Sequence, residues 1–398
     1  MRNYLIPILA LGAGCASAQT APSDTPLTFR ASYVQQNDDN LFRLPGGANV
    51  QALTGRSSTA DQIGVTTVGV NLSTTQSLQH FLLDVSLVDN EYQNNSNLNY
   101  TATNYQAVWN WSITPRITGN LIATRAETLN SFSDYQNFTQ RNKRTDTYNR
   151  ADAAYQIDGP WSVVGGVSGA QGRNEQAVLT QSDFSSTSAD LGARYTFSSG
   201  TVITAGARST DGTYTNRAVP NASLLDDRYN QADTFAQIHW PFSGNGTLDA
   251  TLTQINRTQP VYSVRNFSGL NSDVLVSWAI SGKTSLNANY DRALADYAGS
   301  DASYSVTDRI LLGGAWVVSP KTKLKASYAI SQVSYLGSPT GVASQRQDTL
   351  NDAILSATWE PLQRLVLGFG LQSSIRTSNQ AGLDYRSLMT TLSAQYSF

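Results

Sequence analysis

The chain has 398 residues, of which 40% are hydrophobic and only 14% are charged, and its formal net charge is −2. Ordinary soluble domains carry about 25% charged residues, yet the mean hydropathy here is −0.30, so uncharged polar residues, glycine and tyrosine replace the missing charges. After the first 18 residues, no segment approaches the length of an apolar membrane-spanning helix. The low charge excludes a coiled coil or a charged disordered tail, and the absence of a basic excess argues against a nucleic-acid partner.

The first 18 residues have the pattern of a secretory signal peptide. Arg2 precedes an apolar run over residues 5–11, and Ala16-Ser17-Ala18 forms a small-x-small cleavage site. We therefore predict a signal peptide over residues 1–18 and a single domain over residues 19–398.

The only cysteine, Cys15, lies inside the predicted signal. The mature chain is therefore expected to have no disulfide and no thiolate metal ligand. The string from Gly12 to Cys15 also has some likeness to a lipoprotein box, with Leu11 one position out of place. Lipidation of Cys15 stays open as an alternative.

The predicted mature chain alternates between apolar and polar residues in stretch after stretch, with almost no helical periodicity. From Thr103 to Ile113, aromatic and apolar residues occupy most of one face and polar residues most of the other. The same division is found over residues 189–197, 323–330 and 365–371. The strands of soluble β-sandwiches alternate between apolar and polar residues as well. The spacing of the turns therefore has to distinguish a soluble sandwich from a membrane barrel.

Tight turns recur at intervals of 38 to 44 residues, and each interval holds two long strands joined by a longer polar connection. Short turns that alternate with long loops are typical of transmembrane β-barrels, whose short turns are periplasmic. Eight short turns and nine long loops predict an all-β, antiparallel up-and-down barrel of about 18 strands. With strands about 4.8 Å apart and tilted by about 40°, such a ring is roughly 36 Å across and encloses water. The short turns lie near Thr75, Pro115, Gly159, Ser199, Ser243, Gly282, Pro320 and Pro361.

Aromatic residues cluster within about five residues of the short turns or of the C-terminus, where an interfacial girdle belongs. The chain ends in aromatic and aliphatic residues at every second position, which resembles the assembly signal of outer-membrane barrels, with Tyr396 and Phe398 as its aromatic positions. We predict the outer membrane of a Gram-negative bacterium as the location, and its lipid and the barrel-assembly machinery as partners. The predicted girdle comprises Trp111, Tyr155, Trp161, Phe197, Trp240, Trp278, Trp316, Trp359 and Tyr396.

The polar face of the strands carries charges of both signs in similar number, diluted by Ser, Thr, Asn and Gln. An anion channel needs a lopsided basic lining, whereas a near-neutral, hydroxyl-rich lumen suits a passing polyol. The alternative is that these residues only solvate the pore and neutralise one another. The candidate lumen-lining residues are Asp84, Arg150, Asp152, Asp190, Arg194, Asp233, His239, Lys323 and Asp352, and Asp249, Lys325 and Arg364 share their pattern.

Catalysis and metal binding find little support in the sequence. The two histidines, His80 and His239, belong to no Gly-x-Ser-x-Gly or His-Glu-x-x-His motif. The string Asp38-Asp39-Asn40 lacks the glycine and the terminal glutamate of a calcium loop. We predict a protein that is not an enzyme and has no catalytic, cofactor or metal site; an outer-membrane barrel enzyme is the weakest alternative.

The most distinctive local string is YVQQNDDNLFRLP, from Tyr33 to Pro45. It resembles the N-terminal segment of the EpsL-like outer-membrane proteins, which are encoded with exopolysaccharide biosynthesis genes. Those proteins are related to the β-barrel porin family that includes VpsM-type proteins. The candidate motif residues are Asp38, Asp39, Asn40, Leu41, Phe42 and Arg43.

This resemblance implies a pore that exports a secreted exopolysaccharide, as a passive or gated conduit. Its partners would be the polysaccharide in transit and periplasmic or inner-membrane synthesis proteins. A general or substrate-selective diffusion porin for small solutes is the second hypothesis. In the first loop, Asp38 and Asn40 suit a turn in which their side chains accept hydrogen bonds from backbone N–H groups. Direct contact of the motif with the glycan is the alternative and stays open.

The three longest connections, over residues 36–61, 127–144 and 211–226, are each long enough to fold into the pore as a constriction. The sequence contains no pattern that selects one of them.

Overall fold

The chain forms a closed β-barrel in a computed structural model. Eighteen antiparallel strands form one sheet in which each strand pairs with the next in the chain, and β1 also pairs with β18. The predicted fold class and strand number are therefore confirmed. The predicted signal peptide, with Cys15, lies outside the described residues. The structure describes residues 26–133, 139–220, 224–297, 302–339 and 346–398.

The strands are 12 to 16 residues long, as a tilted strand that crosses a membrane and continues beyond it requires. In the part of the chain that is described, no helix has the length and apolar character needed to cross a membrane. The strands are β1 (Leu27–Asp38), β2 (Asp61–Gln76), β3 (Gln79–Tyr92), β4 (Tyr100–Thr114), β5 (Ile117–Leu129), β6 (Lys143–Asp158), β7 (Trp161–Asn174), β8 (Phe184–Thr196), β9 (Val202–Thr213), β10 (Arg228–Ser243), β11 (Gly246–Thr258), β12 (Phe267–Ala279), β13 (Thr284–Asp296), β14 (Tyr304–Ser319), β15 (Thr322–Leu336), β16 (Gln347–Leu362), β17 (Leu365–Ser378) and β18 (Tyr385–Ser397).

The eight short connections fall at the predicted turns, and several of them contain a residue in the left-handed region of backbone space. Ser77, Gly159 and Gly200 have φ values of 56°, 51° and 85°. Arg364 also lies in such a turn, with φ 75°, so its predicted position on the lumen face is wrong. The alternation that suggested that position ends where the strand ends, two residues earlier.

The longer connections all lie at the opposite, extracellular end of the barrel. Their described residues include four short helices: α1 (Val50–Thr54) and the 3₁₀ turns Ser96–Leu98, Ala177–Ser182 and Ser263–Arg265. The connections are L1 (39–60), L2 (93–99), L3 (130–142), L4 (175–183), L5 (214–227), L6 (259–266), L7 (297–303), L8 (337–346) and L9 (379–384).

The outer face of the barrel is apolar. On β18, Leu388, Leu392 and Tyr396 point outward and are each about half exposed. Eight residues that each rise about 3.4 Å on a strand tilted by about 40° span about 21 Å, close to the apolar band of outer-membrane barrels. The predicted girdle aromatics, with Trp111 more covered than the rest, share this outer face near the short turns.

The last residues of the chain close the barrel. Phe398 and Phe29 exchange two backbone hydrogen bonds of 2.8 and 2.9 Å, and their rings stack with centroids 5.7 Å apart. The ring of Tyr396 lies next to that of Phe398, at 6.0 Å. The C-terminal aromatics therefore lie at the β1–β18 seam, and their use as an assembly signal stays a prediction.

Candidate functional site: the interior wall and the extracellular mouth

On the interior wall, charged side chains pair across an intervening strand. Arg30 on β1 donates two hydrogen bonds to the carboxylate of Asp84 on β3, one of them 2.6 Å long. Gly69 on β2 lies between them, and a Cβ at this position would come within 3.0 Å of Arg30 Nε. Because Gly69 has no side chain, the Arg30 guanidinium can extend across β2 to Asp84.

The same arrangement recurs between β6 and β8. Arg150 donates to both carboxylate oxygens of Asp190, at 2.7 and 3.0 Å, and its Nε donates to Asp152 at 3.1 Å. All three side chains are at most 7% exposed. Gly166 on the strand between them has no Cβ, which would lie 2.6 Å from Arg150 Nη2. This interior glycine is therefore required for the ion pair.

A stripe of polar contacts extends this pair along the wall. Asn120 donates to Asp152 at 2.8 Å and accepts from Asn110 at 2.5 Å. At the other end, Arg208 Nε lies 3.9 Å from the Asp190 carboxylate. The stripe therefore runs from β4 to β9 and contains cations and anions in balance.

The other predicted lumen residues also have interior positions but lie outside this stripe, although Arg194 shares its part of the wall. The Nε of Arg194 donates to Thr204 at 3.4 Å. Asp233 accepts from Gln231 at 2.9 Å, and Asp352 accepts from Ser374 at 2.6 Å. Lys323 shares the interior face of β15 with Lys325, because the outward positions of that strand hold Leu324 and Tyr328.

Both histidines face the interior with a polar neighbour. His239 Nδ1 lies 2.6 Å from Asp249 Oδ1, and His80 Nδ1 lies 3.2 Å from Asn110 Oδ1. Among the described residues, no group of His, Cys, Asp and Glu side chains is arranged to hold a metal ion.

The first-loop motif folds into the barrel. Phe42 is 1% exposed and, with Leu41 and Leu44, packs in a cluster that includes Ile63 and Tyr92. Ile63 and Tyr92 are paired across β2 and β3 on the interior face. L1 therefore covers part of the interior wall at the extracellular mouth.

A buried ion pair holds this fold of L1. Arg43 Nη2 lies 2.8 Å from Asp38 Oδ2, and the other carboxylate oxygen of Asp38 accepts from Ser387 at 2.9 Å. Arg43 has φ 54°, a left-handed conformation that these contacts stabilise. Asp38 also accepts the backbone N–H of Asn40, at 3.0 Å.

The remaining polar motif residues tie L1 to β18. Asn40 Nδ2 donates to the carbonyls of Leu44 and Arg386, at 2.8 and 2.9 Å. The exposed Asp39 accepts the backbone N–H of Leu388 at 2.7 Å. The motif thus has structural contacts throughout.

The described part of L3 contacts both L1 and β17. Phe132 packs edge-on against Phe42, with ring centroids 4.9 Å apart. Arg376, an interior residue of β17, donates to the carbonyl of Ser133 in L3 at 2.7 Å. Since β18 and β1 to β4 lie between β17 and β5, this contact spans about a third of the ring.

An ion pair also ties L3 to its neighbours. Arg141 Nε lies 3.1 Å from Glu175 Oε2 in L4, and Arg141 Nη1 donates to the Asn99 carbonyl in L2 at 2.8 Å. The hydrogen-bonding Arg141 guanidinium holds the pKa of Glu175 below its ordinary value.

A second cluster stiffens the other side of the mouth. Arg265 in L6 is almost fully buried and donates to the carbonyls of Leu224, Tyr297 and Ala302, at 2.7, 3.2 and 3.1 Å. Asp226 in L5 is fully buried and accepts the N–H of Tyr262 at 2.7 Å. L5, L6 and L7 are therefore joined through one arginine and one aspartate.

Sequence reasoning missed Arg30, Gly69, Gly166 and Arg265. The first three share a signal: arginine and aspartate two strands apart, with glycine at the interior position of the strand between. Arg265 lies in a loop without periodicity, where such a signal does not exist.

We expect Gly166→Val to lower the free energy of unfolding by about 2 kcal/mol, because its side chain displaces Arg150 from Asp190 and leaves buried charges without their partner. The matched control is Gly169→Val on the same strand, where a Cβ would have no neighbour closer than 3.8 Å. Urea unfolding in lipid bilayers, followed by tryptophan fluorescence, measures both. Equal destabilisation by the two variants would contradict the role given to Gly166.

No protein-family model matches the chain, and no curated protein matches it. Among solved structures, OccK9 (OpdG) of Pseudomonas aeruginosa has a TM-score of 0.50 at 15% identity, covering 94% of this chain and 98% of that one. The outer membrane protein OpdK of the same organism has a TM-score of 0.49 at 13% identity, covering 94% and 99%. OccAB3 of Acinetobacter baumannii has a TM-score of 0.49 at 9% identity, covering 94% and 98%.

At these identities the likeness concerns the fold. The chain has the architecture of an 18-stranded outer-membrane barrel, with an apolar outer band, aromatic residues near its short turns and a polar interior. Its location is the outer membrane of a Gram-negative bacterium.

Proposed function

We propose that the protein is a diffusion channel of the outer membrane that admits small polar solutes. The observation that carries this proposal is L1, which is buried against the interior wall and held there by the Arg43–Asp38 ion pair. A loop fixed in this way narrows the mouth permanently, which suits small solutes better than a polymer.

The polar stripe on the wall supports a preference for uncharged or weakly charged solutes. Its cations and anions neutralise one another, as in the Arg150–Asp190 pair, so this stripe differs from the one-signed charge ring that selects ions. The surrounding amides and hydroxyls still exchange hydrogen bonds with a solute. We propose no enzymatic activity. The contacts of both histidines are with polar side chains of the interior wall, Asn110 for His80 and Asp249 for His239.

Reconstitution in planar bilayers tests this proposal. We expect a channel that is steadily open with weak ion selectivity, and liposome swelling that falls steeply as sugars grow from monosaccharides to oligosaccharides. A protein that stays closed, or one that admits long polysaccharides as readily as monosaccharides, would contradict it. A matched liposome preparation with heat-denatured protein controls for leakage.

Export of an exopolysaccharide is the second candidate, and the first-loop string is the observation that favours it. The motif residues make structural contacts within L1 and with β18. These contacts explain the presence of the motif without any contact between it and a glycan. Deleting the gene in a polysaccharide-producing strain separates the two functions. Polymer that accumulates in the periplasm would support export, and unchanged surface polysaccharide would support the small-solute channel.

A further inference from the structure

The outer wall between β2 and β8 contains a concave apolar groove with a volume of about 970 Å³. Its floor follows one register row of the sheet, in which small residues on three strands flank the exposed amide of Asn149. Ala107 pairs with Ala123, Ala123 with Asn149, and Asn149 with Gly169. Because these side chains are short and point outward, the wall is recessed there.

Larger apolar residues border the groove on its periplasmic side. Trp109, Leu121 and Val167 lie one outward position below the floor on β4, β5 and β7, and all three are exposed. The Phe81 ring stacks on Trp109 at 5.5 Å. The groove is thus long, apolar and open to the membrane, which are the properties an acyl chain requires.

Cationic side chains border the groove on its extracellular side. Arg125 follows the floor residue Ala123 by one outward position on β5, and Arg173 and Lys143 lie above it on β7 and β6. Arg173 is exposed, and the Arg125 side chain is partly exposed, although its Nε is buried and has no hydrogen-bond partner among the residues that the structure describes.

The acidic residue among them is turned into the wall. Glu127 is 6% exposed, and its carboxylate accepts from the backbone N–H of Thr103 at 2.8 Å and from Arg125 at 2.6 Å. Lys143 Nζ lies 3.5 Å from the same carboxylate. The groove therefore presents three cations to the membrane against two carboxylates, of which Glu127 is covered and Glu175 is paired with Arg141. Two further outward acids, Asp89 and Glu91, lie on β3.

We propose that this groove is a binding site for a phosphorylated lipid of the outer leaflet. An acyl chain occupies the row of small residues, and a headgroup phosphate pairs with Arg125, Lys143 and Arg173. A second copy of the chain fits less well, because a two-fold interface brings the same patch of each copy together and so opposes like charges. The inference is independent of what the channel transports.

Native mass spectrometry of the refolded full-length mature chain tests the site, with bisphosphorylated lipid A and its dephosphorylated form as probes. The triple variant Arg125→Gln, Lys143→Gln, Arg173→Gln is expected to bind the phosphorylated lipid roughly a hundredfold more weakly. Binding of the dephosphorylated lipid should stay unchanged. The control is Arg228→Gln with Arg292→Gln, which removes outward cations elsewhere on the barrel and should leave both affinities as they are.

The second variant fills the groove. Ala123→Leu with Gly169→Leu should weaken the binding of both lipids about equally. Heat-dependent mobility on gels shows whether this variant has folded into a barrel. Equal affinity of the native protein for the two lipids, or binding that neither variant changes, would overturn the proposal. A mass that corresponds to two or more chains and returns to one chain in the filled variant would assign the groove to a second copy instead.

Discussion

Replacing Phe42 and Arg43 together by serine is expected to raise the single-channel conductance severalfold. Phe42 anchors L1 in the apolar cluster on the interior wall, and Arg43 holds Asp38 at 2.8 Å. Removing a buried phenylalanine costs about 3–5 kcal/mol, which is enough to release a loop. The strands keep their hydrogen bonds, so the barrel stays folded while its mouth widens.

Conductance in planar bilayers, together with the size limit for sugars in liposome swelling, measures this effect. Leu53→Ser is the matched control, because Leu53 belongs to the same loop but lies on the exposed helix α1. Unchanged conductance in a folded double variant would show that L1 does not limit the pore. It would also remove the main support for a small-solute channel.

Opposite changes of ion selectivity are expected from the two halves of the Arg150–Asp190 pair. Arg150→Gln leaves Asp152 and Asp190 without their shared cation and should favour cations, whereas Asp190→Asn should favour anions. One unit charge about 4 Å from a passing ion is worth about 1 kcal/mol in water, which corresponds to about a fivefold change in permeability ratio.

The reversal potential in a salt gradient reports the sign and size of each change. Arg364→Gln is the control, because it removes a cation from a short turn rather than from the interior wall. Shifts of the same sign in both variants, or none in either, would contradict a role of the stripe in setting the charge of the pore.

The amino-acid sequence by itself determined the fold class, the number of strands and the places of the short turns. A strand that separates lipid from water must alternate at every second residue, and in lipid each backbone N–H and C=O needs a partner, which only a closed sheet supplies to all strands. These requirements act on each strand separately. They are therefore visible in stretches such as Thr103 to Ile113, where aromatic residues alternate with polar ones.

Only the tertiary structure decided which charges meet and that L1 folds against the interior wall. Arg150 reaches Asp190 because β6, β7 and β8 align in one register and Gly166 leaves room between them, and a shift by one residue would turn these side chains outward. L1 turns inward because its apolar residues pack against Ile63 and Tyr92, which are paired across β2 and β3 on the interior face. Such contacts depend on the relative placement of segments far apart in the chain, for which the alternation within any one segment holds no information.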